Sequence, residues 1–320
     1  MVGLVMAWTI TRWMPGRPGT FSEMKPLIAF GGNMTSSSII KFFSRNSDNI
    51  LLGRFAGEYA LGLYDRAFKL MSLPFGQVSA PFSKVAIPLL SRCRDDPEFY
   101  RRAYQRMLEA VLLILYPALV FVVATCHELI VLALGQRWAE VTPIFAILGI
   151  DAFVAPLGNS MTWLFVSQGR TAEMRNYALI TCVLAISLFV IGLHWGPKGV
   201  AAGYATAGFT ELCFLWPIVT RKGPLRRRDF VSTVAPFLPA VAISFAVLLG
   251  LRTCLPHGWL MLGLEGVLSY VVFAASLASM PGGRRVLRDV WQQVRNLSRR
   301  MAAKASGGRP ASIAANTHQA

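Results

Sequence analysis

The sequence predicts an all-α polytopic membrane bundle of about eight transmembrane helices, and three observations carry that reading. Hydrophobic residues make up 54% of the 320 and charged residues 15%, with a mean hydropathy of +0.48; a soluble domain carries about 25% charged residues. Apolar runs recur along the chain, each near or above the ~20 residues a helix needs to cross a bilayer core. Lysine and arginine are also unevenly shared between alternate loops, the asymmetry that orients helical membrane proteins. Helices follow because an open sheet would leave backbone groups unpaired in hydrocarbon, and the alternating pattern of a barrel is absent.

Residues 1–11 read as the stub of a preceding transmembrane helix. They lack a basic leader region and a small-residue cleavage site, and they are too short to span. The expectation is that Met1 is an internal methionine of a longer parent, or a start placed too late. The first full span, 27–52, carries Asn33, Ser37, Lys41, Ser44, Arg45 and Asp48 within about a third of the helical wheel. Charges in hydrocarbon cost roughly 2.5–3.5 kcal/mol each on insertion scales, so they mark cavities and transport paths. Two cations and one anion on one face suit the wall of a hydrated path for an anionic cargo. A buried salt bridge joining two helices would use the same residue types.

The second span, 67–90, has Pro74, Pro81 and Pro88 seven residues apart on one face, and Lys84 on another. Each proline removes a backbone hydrogen bond and loosens the preceding turn. A bending gate and a set of static kinks are both compatible with that spacing. Further spans are expected at 107–134, 141–167, 172–193, 199–220, 231–251 and 258–280. Asp151 and Asn159 fall within the fourth, Glu211 in the sixth and Glu265 in the eighth. Asp48, Asp151 and Glu211 are candidates for binding a coupling proton, alongside inert pairing. The small-residue run 199–208 suits close helix packing.

After the last span, 284–304 reads as a basic amphipathic helix lying on the cytoplasmic leaflet, and 305–320 as a disordered tail. Of the 32 lysines and arginines, 23 fall on one set of alternate loops and the C-terminal tail, against six on the opposite loops. That places the C-terminus in the cytoplasm. The net charge of +16 is therefore a topology signal rather than a nucleic-acid footprint. Five cysteines and four histidines show no metal or disulfide spacing. The outward loops are short, the longest being about 53–66. Nucleophile–base pairs, phosphate-binding glycine loops and paired catalytic acids are absent, so neither an enzyme nor a cofactor is expected.

The run Asp48-Asn-Ile-Leu-Leu-Gly53-Arg54-Phe-Ala-Gly57-Glu-Tyr-Ala-Leu-Gly62-Leu-Tyr64-Asp-Arg66 resembles the signature after the seventh helix of bacterial polysaccharide flippases. These belong to the multidrug/oligosaccharidyl-lipid/polysaccharide exporter superfamily. Pro88-Leu-Leu-Ser91-Arg92, Gly135-Gln-Arg-Trp138, Gly169-Arg170 and Gly196-Pro-Lys-Gly199-Val-Ala201 follow in the expected order. The resemblance implies the C-terminal lobe of a 14-helix exporter of the bacterial inner membrane: a six-helix lobe over 24–220 and two additional helices over 231–280. It implies an undecaprenyl-pyrophosphate-linked oligosaccharide as cargo, turned between leaflets by alternating access. Partners would be that lipid-linked glycan, membrane lipids, and an N-terminal lobe or other polysaccharide assembly proteins. Lys41 and Arg45 are then the candidate pyrophosphate ligands, with Asp48 orienting Arg45 and with Asn33, Ser37 and Asn49 offering hydrogen bonds. The alternatives are a truncated or non-transporting subunit of a glycan export system, and a cation-coupled small-molecule exporter of the same superfamily.

Overall fold

In the computed structural model the described residues are 21–254, 259–280 and 282–290, with 292 and 295; among them there are helices and turns and no strand. The predicted stub 1–11 and tail 305–320 lie outside the described residues. Of the predicted basic helix 284–304, residues through 290 are helical and 296–304 lie outside them.

The first helix, α1 (Phe21–Phe55), has 35 residues, about 50 Å at 1.5 Å per residue. It ends at Ala56, and Gly57 takes φ 87°, a conformation that costs glycine nothing and other residues strain. This tight corner starts α2 (Gly57–Arg92) at once. The loop expected at 53–66 is therefore helical, because Leu63 and Tyr64 turn inward and are buried. The three prolines lie inside α2, which runs unbroken past them.

The next helix, α3 (Pro97–Ala124), is started by Asp96, whose carboxylate accepts from the amides of Glu98 and Phe99, both at 3.0 Å, with Pro97 at the first helical position. The single span expected at 107–134 is broken at Thr125. There the chain leaves α3 and restarts as α4 (Cys126–Leu134). Gly135, at φ 92°, then leads through a short turn into α5 (Val141–Ser167).

Helix α6 (Thr171–Gly192) and α7 (Gly196–Thr210) form a close hairpin. A Cβ on Gly203 would sit 2.7 Å from the Leu188 carbonyl oxygen, so the small-residue run does bring two backbones together. A π-helical segment, Glu211–Leu215, joins α7 to α8 (Trp216–Thr220). The seventh expected span is divided into α9 (Arg227–Val234) and α10 (Phe237–Cys254), followed by α11 (Trp259–Ser279). Five stretches are long and apolar enough to cross a membrane, one of them covering the whole α6–α7 hairpin. The expected spans 27–52 and 67–90 lie in α1 and α2, which are long enough to cross but are not among those five; counted with them the passes are about eight. The chain is a multi-pass membrane protein.

Packing divides the molecule. Helices α1, α2, α5, α6 and α7 pack around one another, whereas α10 and α11 lie against α3. The core between α3 and α5 is built from buried tyrosines that keep their hydroxyls bonded, as burial requires. Tyr100 meets Ser167 and Tyr104 meets Ser160, each at 2.7 Å, and Tyr116 donates to the Phe153 carbonyl at 3.0 Å.

The loops also sort by end. At one end Arg170 donates to the Val219 carbonyl at 3.1 Å, Lys222 pairs with Glu173 at 3.7 Å, and Arg101 pairs with Asp229 at 3.7 Å. These are the lysine- and arginine-rich loops. At the other end Tyr59 donates to Glu140 at 3.0 Å, and Arg66 lies over the Trp138 ring. The alternation of basic and non-basic loops is thus also a separation in space.

Candidate functional site

Lys41, Ser44 and Arg45 fall at i, i+3 and i+4 and so share one stripe of α1. The opposite face presents Ile39, Phe42, Phe43 and Ile50, all exposed, as suits a surface in hydrocarbon. The polar stripe forms part of a cavity of about 400 Å³ bounded by α1, α2, α5, α6 and the end of α7. Lys41 Nζ donates to Thr162 Oγ1 of α5 at 3.2 Å. Arg45 lies on the same wall, exposed to the cavity.

Two carboxylates face these cations across the cavity. Asp151 comes from α5 and Glu211 from the first residue of the π segment. Tyr177 of α6 donates to Glu211 Oε1 at 2.6 Å. Glycines make the room: Gly208 presses so closely on Asp151 Oδ1 that an added Cβ would overlap it, and Gly158 faces Glu211. The wall is thus mixed rather than cationic. α1 supplies both cations, and later helices supply two anions that the stripe alone did not reveal.

The other expected ligands are placed differently. Asp48 is buried and accepts from Tyr64 Oη at 2.8 Å and from the Asn49 amide at 2.7 Å. No ion pair joins it to Arg45 among the described residues, so it holds α1 to α2 instead of orienting that guanidinium. Asn33 accepts from Arg175 Nη1 at 2.9 Å, two turns towards the basic end from Lys41. Ser37 is buried, and neither its hydroxyl nor the Asn49 side-chain oxygen has a hydrogen-bond partner among the described residues. Pro74, Pro81, Pro88 and Lys84 do not line the cavity; α2 contributes Phe68, Met71, Ser72 and Phe75 to it. Asn159 does line it, and donates to Ser83 of α2 at 3.3 Å.

Thr162, Tyr177, Tyr204 and Arg175 were not singled out from sequence. A signal existed for the tyrosines, since a phenol inside a membrane span needs a polar partner. Chemically, a lysine and an arginine side by side on a cavity wall can replace the hydration shell of a multiply charged anion, and the guanidinium can grip phosphate through two parallel bonds.

Comparison with known proteins fits this architecture. The family described as "Polysaccharide biosynthesis protein" matches residues 1–143. The lipopolysaccharide biosynthesis protein WzxC of Escherichia coli (strain K12) is 25% identical over 241 residues, covering 73% of this chain and 49% of that protein. The teichuronic acid biosynthesis protein TuaB of Bacillus subtilis (strain 168) is 26% identical over 189 residues, covering 58% and 39%. The succinoglycan biosynthesis transport protein ExoT of Rhizobium meliloti (strain 1021) is 21% identical, covering 60% and 39%. Among solved structures, the lipid II flippase MurJ in its inward closed conformation superposes with a TM-score of 0.60 at 18% identity, covering 76% of this chain and 52% of that one.

The fold is similar to that of the MurJ structure over about three quarters of the chain. The chain is similar in sequence to these polysaccharide biosynthesis proteins, and it spans about half or less of the length of these curated relatives.

Proposed function

We propose that this chain forms one side of the translocation path of an undecaprenyl-pyrophosphate-linked oligosaccharide across the bacterial inner membrane, by alternating access and without catalysing a reaction. The observation that carries this reading is the placement of Lys41 and Arg45 side by side on the wall of a cavity between membrane-length helices. A pyrophosphate crossing a medium of low dielectric needs fixed cations at close range. In this reading Asp151 and Glu211 offset the charge of the two cations from across the cavity when cargo is absent, and the basic end, with the C-terminus, faces the cytoplasm. Lipid-linked glycan is the partner, together with the remaining half of a transporter of the relatives' length.

The test is glycan export from cells carrying Arg45→Ala at the native locus. Export is expected to fall at least tenfold at normal membrane abundance, with Arg45→Lys keeping part of it. Wild-type export in Arg45→Ala would remove the cargo site from this stripe.

A second reading draws support from the same cavity. Two carboxylates together with Phe68, Phe75, Tyr177 and Tyr204 also suit a small amphiphilic cation. Cation-driven resistance to such compounds, lost in Glu211→Gln and kept in Arg45→Ala, would favour it.

A further inference from the structure

We infer that the basic end of the molecule carries a binding site for the phosphate headgroup of an anionic phospholipid, in a cleft between α3 and the α8–α9 connection. The cleft measures about 510 Å³ and is lined by Arg101, Arg221, Arg226 and Arg227, with Gly223 and Pro224 shaping its rim. It is separate from the transport cavity, with which it shares no lining residue.

Four guanidinium groups around one cleft repel one another, and the neighbouring acid pairs with only one of them. Asp229 is already committed: it pairs with Arg101 at 3.7 Å and accepts from the Arg226 backbone amide at 2.9 Å, closing the first turn of α9. The carbonyl of Pro224 accepts from Arg101 Nε as well, which fixes that side chain as the floor of the cleft. Arg221, Arg226 and Arg227 make no ion pair among the described residues and are exposed. The arrangement is one anchored and three uncommitted guanidiniums, the geometry that matches a phosphate bidentately.

The position argues for a lipid as the source of that phosphate. Arg227 is the first residue of a stretch long and apolar enough to span a membrane, so the cleft sits where the chain enters the bilayer. Val231, one turn further, and Leu238 beyond it are 53% and 60% exposed; they offer an apolar flank for acyl chains beside the charged cleft. Basic pockets between transmembrane helices at this level recognise anionic headgroups. A positive-inside bias alone asks only for basic residues somewhere in these loops and does not require them to converge.

The test titrates the detergent-purified protein with short-chain phosphatidylglycerol, phosphatidylcholine and inorganic phosphate, read by native mass spectrometry. Wild-type protein is expected to bind phosphatidylglycerol in preference to both others. The variant Arg221→Gln/Arg226→Gln/Arg227→Gln is expected to lose about a hundredfold in affinity, at about tenfold or less per cation. The control Arg92→Gln/Arg102→Gln/Arg106→Gln removes three arginines that lie outside the cleft and should bind as wild type. Equal losses in both variants would mean diffuse surface charge and overturn the site. Inorganic phosphate binding as tightly as the lipid would overturn the headgroup assignment, as would wild-type protein that does not discriminate phosphatidylglycerol from phosphatidylcholine. None of these outcomes depends on what the transport cavity carries.

Discussion

At the scale of single residues, the site depends on the contrast between side chains that are satisfied and side chains that are not. Asp48 is tied to Tyr64, and Glu211 to Tyr177, whereas Arg45 has open space in front of it. Gly208 decides where Asp151 can point. Gly208→Ala should push that carboxylate off its position and reduce export while leaving membrane abundance intact; unchanged export would show that the position of Asp151 is immaterial. Ser37 gives the opposite expectation. Its buried hydroxyl lacks a partner among the described residues, a state that costs about 1–3 kcal/mol, so Ser37→Ala should leave the thermal unfolding midpoint equal or higher. A lower midpoint would reveal a partner for the hydroxyl. Lys41 and Arg45 were legible in the sequence because charges stand out in an apolar run, and helical spacing fixes their common face. The bond from Asp48 to Tyr64 was not, because it depends on a corner at Gly57 that brings residues sixteen apart into contact.

At the scale of elements, the connections between helices were harder to read than the helices. The polar residues at each point, Thr125 with His127 and Glu128 in one and Glu211 in the other, are too few to separate a break from a polar position in a continuing helix, so neither the end of α3 nor the π segment could be placed from composition. The α6–α7 hairpin was more legible, since Gly199 and Gly203 recur four residues apart. Gly203→Ala should destabilise the protein by about 1–3 kcal/mol, because its Cβ would meet the Leu188 backbone, which cannot rotate away. Gly62→Ala is the matched control, with nothing within 4 Å of its added Cβ, and should be neutral or slightly stabilising in a helix. Equal midpoints for the two variants would contradict the close approach. The last two helices are held at their far end by Arg252, which pairs with Glu128 and lies 3.6 Å from the buried Glu265, and which also donates to the Ala124 carbonyl. Removing one partner of a buried ionic cluster strands the others. Arg252→Ala should therefore cost about 3 kcal/mol and speed amide exchange in α10 and α11 first; exchange that rises evenly over the whole chain would argue against a local clasp.

At the scale of the whole molecule, two features combine. A membrane bundle places a cavity with paired cations and carboxylates among five of its helices, and it gathers its basic loops at one end. Composition and loop charge made the bundle and the sidedness of its loops readable in advance. Asp151 and Glu211 were legible as carboxylates inside spans, but their place opposite the α1 stripe was not, because they are separated by sixty residues and meet it only through packing. The most direct measurement is translocation in proteoliposomes containing this chain together with the remaining half of the transporter, comparing a fluorescent pyrophosphate-linked glycolipid with a fluorescent cationic amphiphile. The account predicts that the glycolipid crosses and the cation does not, and that Lys41→Ala/Arg45→Ala abolishes the crossing. Transport of the cation alone, or glycolipid crossing that is indifferent to those two substitutions, would contradict it.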